Sequence, residues 1–175
     1  MSYLDLFRAL EAEGVRYLAA GGVARILHGA EPMTMEIELM VDFEPANLAR
    51  FVATARALAL KPVSEDYGAA MRFRGPQIDN PSVDVVVHEA LSFEEVYARR
   101  LLVELEDLTV SVLAPQDMVV LTGKPVRIET YDYSCELSDE QLRYYGAPPA
   151  IAKLRWLEEA RRFALLARSA RLANA

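Results

Sequence analysis

The sequence predicts an α/β (α+β) chain: a small mixed sheet flanked by helices, followed by a helical C-terminal extension. Three observations carry this. Segments with apolar residues at helical spacing alternate with short alternating or β-branched runs over the first two thirds of the chain. One run, Ser82 to His88, is almost continuously β-branched, as a central strand covered on both faces requires. After residue 121 the strand patterning stops, and the longest helical repeat lies near the end. Residues 1–121 are therefore assigned to a core domain and 122–175 to an extension, within what 175 residues hold.

Taken in order, Leu4, Leu6, Phe7, Leu10 and Ala12 place a helix over about residues 3–13, ended by Gly14. Val15 to Ala20 reads as a buried strand. Gly21-Gly22 breaks it, and a second helix from Val23 to His28 closes at Gly29. Met35 to Val41 alternates, with Glu36 and Glu38 on one face and Ile37, Leu39 and Val41 on the other. Pro45 opens a helix to about Leu60, with Leu48, Phe51, Val52, Ala55 and Leu58 in one stripe.

Residues 61–81, rich in Gly, Pro, Asp and Asn, predict loops around a short strand at Met71 to Arg74. Ser92 with Glu95 reads as a capping box opening a short helix. Leu108 to Leu113 is a strand, and Pro115 starts a helix of about two turns. Ser138 with Gln141 offers a second capping box, and Gly146 to Pro149 is a stop. In the last helix, Ile151 to about Ser169, the residues Leu154, Leu157, Ala160, Ala164 and Leu165 are expected to face inward.

Composition narrows the function classes. With 53% hydrophobic and 26% charged residues the chain is not generally disordered. No stretch approaches the roughly 20 apolar residues of a membrane helix, and Arg8 interrupts the N-terminus, so neither a membrane span nor a signal peptide is expected. A single cysteine, Cys135, excludes a disulfide framework and a cysteine-rich zinc site, which suits a reducing, cytoplasmic compartment. Residues 1–150 carry 13 Lys+Arg against 24 Asp+Glu, and residues 151–175 carry 6 against 2. An acidic body argues against broad nucleic-acid binding and suits a protein that gathers cations or meets a basic partner.

The chemistry-bearing segment is Gly21-Gly22, then Thr34-Met35-Glu36-Ile37-Glu38 on the next strand, with Asp84 inside the apolar run Val83-Asp84-Val85-Val86-Val87. A spacing of two puts Glu36 and Glu38 on the same face of a strand. A carboxylate within a central strand is costly without a partner, so three acids on one sheet point to a divalent cation. The glycines allow backbone amides to approach a phosphate.

This arrangement resembles the nucleotidyltransferase superfamily, the fold of the palm of beta-type DNA polymerases, over roughly residues 4–121. More narrowly, it is similar to the bacterial group that includes the AbiEii-type toxins and minimal nucleotidyltransferases. The resemblance implies a small nucleotidyltransferase-type sheet and metal-dependent transfer of a nucleoside monophosphate from an NTP to a hydroxyl acceptor, which would be RNA, a protein or a small molecule. It assigns Glu36, Glu38 and Asp84 as catalytic residues and ligands of Mg2+ or Mn2+. It assigns Gly21 and Gly22 to the nucleotide phosphates, and Thr34 and the nearby Lys124 are the further nucleotide-binding candidates.

The sequence departs from that group at several points. Glu36 and Glu38 stand where Asp-x-Asp is usual, Pro32 where an Arg is common, and Leu121-Thr122 where Leu-Lys is usual. A second hypothesis follows: a catalytically degenerate nucleotidyltransferase fold that serves as a binding or toxin–antitoxin module with a protein partner. A structural α/β domain without a nucleotide site ranks last, because it makes all three acids accidental.

Plainer readings stand beside these. Gly21-Gly22 also suits a tight turn, and Glu36 and Glu38 suit the solvated face of an edge strand. His28 reads as a helix-end residue near the turn, and His88 as a strand-end residue. Cys135 reads as a small buried side chain. Tyr131, Tyr133, Tyr144 and Tyr145 read as packing between tail and body, with base stacking the alternative. Trp156 reads as an anchor of the last helix, and Arg155, Arg161 and Arg162 as a solvated face.

Overall fold

The computed structural model describes residues 2–30, 34, 36–63, 71–75, 82–123, 126 and 150–172. It is a mixed α/β fold. Six helices among the described residues, α1 (Tyr3–Ala12), α2 (Gly21–Leu27), α3 (Pro45–Ala57), α4 (Phe93–Ala98), α5 (Pro115–Thr122) and α6 (Ala150–Ser169), flank one sheet. Its strands are β1 (Tyr17–Ala20), β2 (Glu36–Val41), β3 (Lys61–Val63), β4 (Met71–Arg74), β5 (Ser82–Val85), β6 (Leu101–Leu105), β7 (Leu108–Val112) and β8 (Arg171–Leu172). They lie in the order β3-β4-β5-β2-β1-β7-β6-β8. The pairs β1–β7 and β2–β5 are parallel, and the others antiparallel.

Local chemistry explains the elements that position the site. A capping box starts α1: Ser2 Oγ accepts from the Asp5 amide at 3.2 Å, and the Ser2 amide donates to Asp5 Oδ2 at 2.8 Å. Leu4, Leu6, Phe7 and Leu10 are then buried as their spacing requires, whereas Ala12 is exposed. Every residue of β1 is buried, so that strand runs through the core. Pro45 takes the first turn of α3, where its missing N–H costs nothing, and Glu44 caps that helix through the Asn47 amide at 3.0 Å.

Asn47 itself is 1% exposed and holds the base of the sheet. Its Oδ1 accepts from the Arg16 amide at 2.7 Å, and its Nδ2 donates to the Asp42 carbonyl at 2.8 Å. These groups lie where β1 begins and β2 ends, and Asn47 supplies the side-chain partners that the strand ladder does not reach. The Arg16 guanidinium adds an ion pair to Asp42 at 2.6 Å and stacks over the Tyr97 ring at 4.6 Å.

Three strands were not expected from the sequence. In β6, Leu-Leu-Val-Glu-Leu is a short apolar run without a period of its own, and its state is set by pairing with β7 across the turn Glu106-Asp107. Glu106 takes a φ of 57° there, a tight-hairpin conformation. Both β3, which contains Pro62, and the two-residue β8 are edge strands made by their neighbours.

Two expectations are corrected. Ser92 does precede α4, but its side chain makes no cap hydrogen bond, so the capping box does not form. On α6, Leu154, Leu157 and Leu165 are exposed, at 62%, 41% and 47%. Ala160 and Ala164 do face inward, joined by Phe163 and Ala167 rather than by the leucines, because the small side chains let the helix approach while Phe163 enters the core. Phe163 stacks on Tyr3 of α1 at 4.9 Å between centroids. Residues 150–172 therefore return to the body: α6 packs on α1 and α2, and β8 pairs with β6. Cys135, the tyrosines at 131, 133, 144 and 145, the Ser138–Gln141 pair and the side chain of Trp156 lie outside the described residues.

No helix among the described residues is long and apolar enough to cross a membrane.

Candidate functional site: an acid row closed by an arginine

Strand register builds the site. Ala20 of β1 lies opposite Glu38 of β2, Glu38 lies beside Asp84 of β5, and Asp84 lies opposite Arg72 of β4. Directly paired residues of neighbouring strands project to the same face, so Glu38, Asp84 and Arg72 form one transverse row. Glu36, two residues before Glu38, joins them on that face. Features far apart in the chain thus meet at the end of β1, where the Gly21-Gly22 turn enters α2.

At the turn, Gly21 has a φ of 49°, which a side chain strains, and a Cβ there would overlap the Glu38 carboxylate. Glu38 Oε2 accepts from the Gly22 amide at 3.0 Å. The amide expected to meet a phosphate therefore already serves a carboxylate. A Cβ on Gly22 would overlap the Thr34 side chain, so Thr34 packs directly on the turn. Tyr3 fixes that segment by donating its hydroxyl to the Thr34 carbonyl at 2.7 Å.

Asp84 is 3% exposed and its carboxylate is satisfied by Arg72. The Arg72 Nε donates to Oδ1 at 2.6 Å, and its Nη2 donates to Oδ2, a bidentate fork. The same Nη2 lies 3.7 Å from Glu36 Oε1. Burial, together with the Asp84 and Glu38 charges, raises the Glu36 carboxyl above its ordinary range, and Arg72 and Arg74 only partly offset this.

These side chains do not fit a divalent cation as arranged. Both Asp84 oxygens hold Arg72, Glu38 holds the Gly22 amide, and no three acidic, histidine or cysteine side chains among the described residues are placed to hold one ion. Magnesium tolerates such competition poorly, because it demands near-ideal octahedral oxygen geometry at about 2.0–2.1 Å.

Of the residues singled out in the sequence, Gly21, Gly22, Thr34, Glu36, Glu38 and Asp84 are brought together, while Lys124 and Pro32 lie outside the described residues. His28 closes α2, and its Nε2 donates to the Leu113 carbonyl at 2.8 Å. Burial lowers its pKa. His88 lies beyond the end of β5, with Nδ1 accepting from the Ala90 amide at 3.2 Å. Sequence reasoning missed Arg72. Its signal was the Met71-Arg72-Phe73-Arg74 alternation, which puts two cations on one face of a strand. No family model matches this chain, and no curated protein matches it.

Proposed function

We propose that this chain is a nucleotidyltransferase-type fold whose acid centre is closed by its own side chains, and that it works as a binding module for a protein partner, in a toxin–antitoxin or defence setting. The resemblance of the Gly21-Gly22, Glu36-x-Glu38 and Asp84 pattern to nucleotidyltransferases supports the fold assignment. One observation carries the loss of catalysis: Arg72 holds both oxygens of Asp84, the acid the family pattern makes a metal ligand. An arginine does not leave by deprotonation near neutral pH, so the closure persists.

A second reading is metal-dependent transfer of a nucleoside monophosphate to RNA, a protein or a small molecule, with Mg2+ or Mn2+ held by Glu36, Glu38 and Asp84. The convergence of the glycine turn and the three acids on one face favours it. It requires Arg72 to release Asp84.

Calorimetric titration with each nucleoside triphosphate, with Mg2+ or Mn2+ and again with chelator, separates the two. No metal-dependent binding is expected from the wild type. Saturable, metal-dependent binding that disappears in Asp84→Ala would overturn the binding-module reading and establish the second.

A further inference from the structure

We infer that Arg72 is a tethered counter-ion standing in for a divalent cation on the Glu36–Glu38–Asp84 face, so that removing its charge opens a cation site the native protein lacks. This rests on the closed-centre reading and says what does the closing.

Arg72 is seated as a component of the row. Its side chain is 11% exposed, against 5% for Asp84 and 39% for Glu36. It reaches Asp84 through two donors and lies 3.7 Å from Glu36, so one guanidinium serves two acids. The planar fork matches a carboxylate in a way that an ammonium does not.

Without the guanidinium, the face would keep three carboxylates and their hard oxygen donors. Glu38 and Asp84 are register neighbours on strands that lie about 4.7–4.9 Å apart. Glu36 lies two residues from Glu38 on the same face and 3.7 Å from the Arg72 guanidinium, so the loss of Arg72 leaves an unbalanced negative field. A divalent cation is the compact group that relieves such a field through oxygen ligands. Arg74 also acts on Glu36 and remains in place, so the opened site is expected to be weaker than an all-carboxylate cage.

The test uses the full chain as wild type, Arg72→Gln, Arg72→Lys and the double variant Arg72→Gln/Asp84→Asn. Mn2+ binding is read by calorimetry, and the thermal midpoint is followed with and without Mn2+. Wild type is expected to show no saturable binding and no Mn2+-dependent midpoint. Arg72→Gln is expected to bind Mn2+ at least about tenfold more tightly, a difference of 1.4 kcal/mol, and to gain midpoint with the metal. The double variant is expected to lose both effects.

Wild type binding as tightly as Arg72→Gln would overturn the inference, as would a folded Arg72→Gln that ignores Mn2+. Should Arg72→Gln not fold without metal, recovery of its circular dichroism on adding Mn2+ supports the inference. In the absence of that recovery Arg72→Lys decides: it keeps the counter-charge and is expected to exclude Mn2+ as wild type does, and saturable Mn2+ binding by a folded Arg72→Lys overturns the inference. Wild-type binding of NTP with metal overturns the closed-centre reading itself. A wild type blind to both NTP and Mn2+, beside an inert folded Arg72→Gln, overturns only the counter-ion role.

Discussion

Glu38 seals the turn that precedes it in the chain: its Oε2 accepts the Gly22 amide at 3.0 Å, and its carboxylate fills the space a side chain at Gly21 would need. Gly21→Ala must therefore both strain a φ of 49° and evict the carboxylate. The expected cost is about 2–5 kcal/mol, combining about 1–2 for the left-handed backbone with a lost charged hydrogen bond. In a Glu38→Ala background the same substitution should cost only about 1–2 kcal/mol. Urea denaturation of the two singles and the double measures the difference, and additive costs would contradict the contact.

Asp84 and Arg72 form the most buried charged pair of the row. Asp84→Ala strands a guanidinium whose side chain is 11% exposed, and should destabilise by about 3–5 kcal/mol. Replacing both by Leu should cost less than Asp84→Ala alone, since neither member of the buried pair is then left uncompensated and the more exposed Glu36 keeps the Arg74 charge. Comparing the two denaturation midpoints tests this, and a double variant weaker than the single would contradict it.

His28 gives a pH dependence. Its folded pKa lies below the ordinary 6.5 because the ring is buried, so between the two values the unfolded chain binds more protons. Stability from neutral His28 is complete above about 6.5 and falls as pH drops from there toward the folded pKa. Thermal midpoints of wild type and His28→Gln, measured from neutral pH to about 5, should show a shallower decline in the variant.

The last helix separates two otherwise similar apolar substitutions. Phe163→Ala removes a ring stacked on Tyr3 at 4.9 Å and should cost about 3–5 kcal/mol. Leu154→Gln, on the exposed face, should change stability by no more than about 0.5 kcal/mol. Equal effects would contradict the orientation of α6.

Much of the fold was legible because periodicity and punctuation are local properties. The α1 and α3 stripes, the Gly21-Gly22 break and the strand around Asp84 each follow from residues a few positions apart, although that strand ends at Val85 rather than His88 and Val87 is 58% exposed. Elements whose state depends on a distant neighbour were not legible. The apolar run of β6 becomes a strand by pairing with β7, and β3 and β8 exist only as edges. The face of α6 was misread because Leu is a strong hydrophobe, whereas close approach to α1 and α2 favours the alanines around Phe163.

The sequence by itself determined the alternation of helices and strands, the same-face placement of Glu36 and Glu38, and the presence of an acid in a central strand. Only the tertiary structure decided what that acid faces. Arg72 and Asp84 are twelve residues apart with other chain between them, and the antiparallel register of β4 with β5 makes them direct neighbours. A buried carboxylate takes whichever cation the register supplies, because leaving it unpaired costs more than any local preference. Here the register supplies a guanidinium.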